Sequence, residues 1–200
     1  MQYFPMLAVT FLIAVPVTSS AAESVFTNLN TKACASAGEV EGGVVLTCPG
    51  LDGYPVTYKE GDLRPSVSYG PLNAAYRDGA FESFSAFGSV NTKVEWRLEG
   101  GRPVAAILRF FVSNSDPATG ATPKKLKGQV LVVAKVASPQ EGKSCVIGLV
   151  DALSNKDANQ KARNVADQLS ANFRCGQDQP AYYGARGALA TDFSSSLPPE

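Results

Sequence analysis

The chain has 200 residues, with eighteen Lys+Arg against eighteen Asp+Glu and no histidine. Zero net charge without a basic run excludes the phosphate-neutralising surface that nucleic acid demands. The lack of histidine excludes Ser-His-Asp and Cys-His catalysis and His-ligated zinc, and 44% hydrophobic residues suit a globular domain rather than a disordered chain.

Every Lys, Arg, Asp and Glu lies after Ala22. Met6 to Val17 is mostly apolar and too short for a membrane helix, which needs roughly 20 residues. Pro16 breaks the run, and Thr18-Ser19-Ser20-Ala21-Ala22 supplies small residues for cleavage. Residues 1–22 therefore read as a secretory signal peptide cut after Ala21 or Ala22. The pattern departs from the rule in one respect, since Met1 to Pro5 has no Lys or Arg. No membrane span is expected after processing.

Cys34, Cys48, Cys145 and Cys175 form an even set, as expected of two disulfides in an exported chain. Three connectivities are open. Cys34–Cys48 and Cys145–Cys175 are favoured, because each pair flanks a local supersecondary unit. Their separations imply roughly 3 to 4 kcal/mol each by loop-closure entropy. Zinc would want CxxC spacing, which is absent, so neither metal nor cofactor is expected.

Residues 23–176 read as one α+β domain, with 177–200 as a flexible tail lacking periodicity. Glu23 to Ala37 is weakly patterned. Gly43 to Cys48 and Tyr54 to Lys59 read as strands joined by the Pro49–Gly53 turn, and Gly61-Asp62 turns into a third over Arg64 to Tyr69. Phe81, Phe84 and Phe87 are three apart, which fits a short helix or a loop with aromatic plugs. Lys93 to Glu99 is the clearest strand, with Val94, Trp96 and Leu98 alternating against charged neighbours. Gly100-Gly101 turns it into Pro103 to Val112. Val130 to Val136 and Ser144 to Val150 are apolar on nearly both faces, so with Pro103 to Val112 they should be central. Ser113 to Lys127 reads as a long hairpin loop.

Asp157 to Phe173 is the one long helix. Ala158, Ala162, Val165, Leu169 and Phe173 recur every three or four residues. Arg163 falls on the far side, in an i,i+4 pair with Asp167. The expected fold is a mainly antiparallel, curled sheet of six or seven strands, with one C-terminal helix packed on it and two disulfides as staples.

The chemistry centres on Asp62, Arg64, Glu95, Arg97 and Arg109. An arginine between Leu108 and Phe110 in a central strand must find a partner, because an unpaired buried charge is costly. A two-residue Gly100-Gly101 loop puts Arg109 on the Trp96 face. A three-residue loop puts it on the Glu95/Arg97 face, where a Glu95–Arg109 pair could form with Arg97 and Asp62 beside it. Such a cluster is either a salt-bridged sheet face or a cradle for an anionic ligand. A two-carboxylate hydrolase using Asp62 and Glu95 is a further alternative.

The segments CPGLDGYPVTYKEGDLRPSVSYG, KVEWRLEGGRPVAAILRF, SCVIGLVDA and NVADQLSANFRCG resemble those of small exported proteins of alphaproteobacteria, a group without an assigned activity. The resemblance covers Cys34 to Gly176 and implies a periplasmic or secreted location and two disulfides. The function expected is a non-enzymatic binding module of the envelope, with an envelope protein, a cell-wall fragment or a small anionic ligand as partner. A small-ligand carrier with a cavity in the curled sheet is the alternative.

Overall fold

The computed structural model describes residues 22–40 and 43–199, so the expected leader lies outside the described residues apart from Ala22. Among the described residues there are twelve strands, arranged in three sheets, and two α-helices. The strands are β1 (Glu23–Asn28), β2 (Ala35–Val40), β3 (Gly43–Leu51), β4 (Tyr54–Gly61), β5 (Arg64–Tyr69), β6 (Phe81–Phe84), β7 (Phe87–Glu99), β8 (Arg102–Ser113), β9 (Lys127–Lys135), β10 (Cys145–Asp151), β11 (Ala181–Tyr182) and β12 (Phe193–Ser196). The helices are α1 (Ala74–Gly79) and α2 (Ala158–Leu169).

The largest sheet runs β1-β7-β8-β9-β10-β11, a second runs β2-β3-β4-β5, and β12 pairs with β6. This corrects the single curled antiparallel sheet. The large sheet is mixed, because β11 lies parallel to β10. The chain leaves β10, passes through α2 and returns beside β10. A parallel return needs such a crossover, and α2 supplies it. The Cys145–Cys175 disulfide closes within this crossover, while Cys34–Cys48 ties the start of β2 to β3.

The alternation of β7 sets the layers. Val94, Trp96 and Leu98 face the four-stranded sheet, joined by Leu108, Phe110 and Val132. Val56, Val67 and Tyr69 meet them from the other side, with Tyr69 edge-on to Trp96 at 5.5 Å. On the opposite face Ile107, Leu131, Val133 and Ile147 pack under Ala162, Val165 and Ala166 of α2. Burial of such side chains contributes roughly 1.5 to 3 kcal/mol each for the larger ones. As expected, β8 and β9 are central strands covered on both faces.

Two further expectations are corrected. The Phe81–Phe87 segment is neither helix nor loop. Phe81–Phe84 is a strand, Phe84 packs between Phe110 and Phe193, and Phe87 opens β7. The segment after Gly176 is not frayed, since it supplies β11 and β12. Side-chain bonds hold it. The Asp151 carboxylate accepts from the backbone N–H of Leu153, Ser154 and Gly187. Asn155 donates to Ala185 O and accepts from Ala185 N. Gly184 has φ +86°, and a Cβ there would lie 2.3 Å from Asn155 Oδ1, so the close approach requires glycine.

Candidate functional site

The register of β7 and β8 decides where Arg109 points. Glu99 stands opposite Arg102, so the Gly100-Gly101 turn has two residues. The register then shifts between Arg97 and Leu98, with Arg97 opposite Ala105 and Leu98 opposite Pro103. Val104 is the extra residue on β8. A one-residue bulge flips every later side chain to the other face. Trp96 therefore pairs with Ala106, and Arg109 joins Glu95 and Arg97 on the helix side.

Helix α2 meets these charges turn by turn. Asn159, Arg163 and Asp167 are each four residues apart and form one stripe along the helix. Asp167 receives two bonds from Arg97, from Nε at 2.9 Å and Nη2 at 2.7 Å. Glu95 receives Arg163 Nε at 2.6 Å. Asn159 Oδ1 accepts from Arg109 Nη2 at 3.3 Å. The bond to Glu95 holds the Arg163 guanidinium above its ordinary pKa. The i,i+4 pair expected between Arg163 and Asp167 is replaced by two pairs reaching down to the sheet.

Ser24 on β1 joins the two ion pairs. Its hydroxyl donates to Glu95 Oε1 and accepts from Arg97 Nη1, each at 2.5 Å. Arg97 also donates to Ala22 O. The expected Glu95–Arg109 pair is therefore not formed. Asp62 and Arg64 lie elsewhere, at the β4–β5 turn, where they pair with each other. Arg64 also donates to Ser85 O and stacks on the Phe87 ring. The proposed hydrolytic carboxylates, Asp62 and Glu95, do not face one another, and Glu95 is engaged by Arg163 and Ser24.

Arg109 differs from Arg97 in its partners. Its guanidinium donates to Gln129 Oε1 at 3.0 Å and Asn159 Oδ1 at 3.3 Å, both uncharged oxygens. Among the described residues it has no carboxylate partner. It lines a cleft of about 280 Å³ between α2 and the sheet. Lys93, Arg163 and Glu95 line the same cleft, with Ile107 and Leu131 in its floor. Lys93 Nζ sits 4.3 Å above the Phe26 ring at one wall. Three cations thus share the cleft with one carboxylate, and that carboxylate is already paired.

The polar stripe on α2 was missed in the sequence. Asn159, Arg163 and Asp167 border the apolar stripe directly, and that adjacency is the signal for residues that meet the sheet at its rim. Gln129 carries no such signal. The interior between the two larger sheets, where a carrier would hold its ligand, contains Trp96, Tyr69, Leu108 and Val132. Among the described residues no group of three or more Cys, Asp or Glu could hold a metal ion. No protein-family model, curated protein or solved structure matches the chain.

Proposed function

We propose that this protein is an exported, non-enzymatic binding module of the bacterial envelope, periplasmic or secreted, which takes a small anionic ligand in the Arg109 cleft. A carboxylate-bearing cell-wall fragment belongs to that ligand class. One observation carries the reading: Arg109 reaches the cleft with only neutral acceptors, beside Lys93 and Arg163. A guanidinium presents five N–H donors in a planar fork suited to a carboxylate or phosphate. Two disulfides support export, because such bonds persist in oxidising compartments. Among the described residues no helix is long and apolar enough to cross a membrane.

The test is titration calorimetry at low salt with inorganic phosphate and with glucuronate. At least one anion should bind, and binding should fade as salt rises. Arg109→Gln should weaken it roughly 10- to 100-fold, the cost of losing a charge-assisted bond. Asp62→Asn, at the distant turn, should leave it unchanged. No binding at millimolar anion, or binding indifferent to Arg109→Gln, would overturn the reading.

A further inference from the structure

A second cavity, unrelated to the Arg109 cleft, carries a different chemistry. It measures about 400 Å³ and is lined by Lys59, Gly61, Asp62, Asp78, Ala80 and Phe81, among others. Lys59 lies on β4 and is only 2% exposed. Its ammonium donates a single bond, to Ala80 O at 2.7 Å. Among the described residues no carboxylate lies within ion-pair distance of it. The two carboxylates at the cavity are each held by an arginine outside it, Asp62 by Arg64 and Asp78 by Arg77.

A lysine in this setting is poorly served as a cation. Burial costs the charged form part of its hydration. Desolvation lowers the Lys59 pKa, and the negative charge of Asp78 opposes that shift only in part. An amine whose charged form is disfavoured, beside a cavity with a phenyl wall, is better placed to act as a nucleophile than as an anion receptor. The nearby aspartates also disfavour an anionic guest.

We infer that the cavity over Lys59 is a capture site for a small uncharged aldehyde or ketone, which condenses with the Lys59 amine to an imine. The Nζ lone pair forms a bond to the carbonyl carbon, and one N–H proton passes to the carbonyl oxygen, giving a carbinolamine. The second N–H proton leaves with that oxygen as water, and the C=N bond remains. No oxidant or reductant is consumed. Phe81 gives the carbonyl compound an apolar wall.

Benzaldehyde with sodium cyanoborohydride at pH 7 tests this, with the reaction stopped early and the lysines mapped by peptide mass. The reductant fixes the imine as a stable benzyl amine. Each unit by which an ammonium's pKa falls raises its neutral fraction at pH 7 about tenfold. Lys59 should therefore be labelled first, ahead of the surface lysines. Asp78→Asn should speed labelling at Lys59 alone, because it removes the charge that favours the ammonium. Lys59→Met should abolish the fast label. Asp78 is on the surface, so Asp78→Asn still decides the matter if Lys59→Met does not fold. Labelling that simply follows exposure, or a Lys59 that stays unmodified in the folded protein, would overturn the site.

Discussion

Arg97 and Arg109 leave neighbouring strands on the same face of the same sheet, and both reach towards α2. Under Asp167 the arginine is neutralised by a bidentate carboxylate and further held by bonds to Ser24 and Ala22 O. Under Asn159 the arginine meets only amide oxygens. One end of the helix–sheet seam has settled its charge internally. The other has kept a positive charge and an open cleft. The lesson is that the partner's charge, more than burial alone, separates a structural arginine from a receptive one.

The largest effect should come from breaking the settled end. Arg97→Ala leaves Asp167, a third exposed, and the Ser24 hydroxyl without their cation, and the loss of two charge-assisted bonds and of a buried arginine's packing costs about 3 kcal/mol. A urea midpoint far below wild type is the expected outcome, and a loss under about 1 kcal/mol would place Arg97 among weak surface pairs.

Glu82 sharpens the comparison from the acid side, because it too has only neutral partners. It is buried, and it accepts from Ser195 Oγ at 2.7 Å and Val146 N at 2.8 Å. Burial raises its pKa to about 7. Between the ordinary carboxylate pKa and about 7, the folded state holds a proton that the unfolded state has released. Stability should therefore fall as pH rises through that window and level off above it, by roughly 2 to 4 kcal/mol. Glu82→Gln should remove this slope, read as the difference between variant and wild type in urea melts from pH 5 to pH 8. Parallel slopes would refute it.

The Glu95–Arg163 pair is intermediate, with Arg163 a third exposed. A double-mutant cycle using Glu95→Gln and Arg163→Gln should give a coupling of about 1 to 2 kcal/mol, reduced by salt. Coupling near zero would mean that solvent screens the pair. The smallest effect belongs to the receptive end. Arg109→Leu removes a charge with no counter-charge, and its stability should stay within about 1 kcal/mol of wild type. A large loss would make Arg109 a structural residue after all.

Strong local signals survived into the structure. The alternation of Lys93 to Glu99 set which side chains face which layer, and the apolar stripe of α2 set the helix face. What sequence could not reveal came from single side chains acting at a distance. The Val104 bulge reversed the face implied by a two-residue turn, and nothing in PVAAILRF marks it. The final segment joins the fold through Asp151, Asn155 and two close-packed glycines, contacts with no periodicity to detect. Asp62 and Glu95 each stand two residues before an arginine, yet Arg64 pairs with Asp62 itself while Arg97 reaches Asp167 on α2.

The pairing of the cysteines has a consequence for how the molecule matures. Each bonds its nearest cysteine along the chain, the first with the second and the third with the fourth. On the exported route proposed above, the chain emerges amino end first. Cys34 and Cys48 are then available together long before Cys145 appears, and an oxidant acting on the emerging chain joins the right pair. The same holds later for Cys145 and Cys175. Oxidation in order of arrival yields the native bonds directly, so maturation requires a disulfide donor but no enzyme to reshuffle wrong ones.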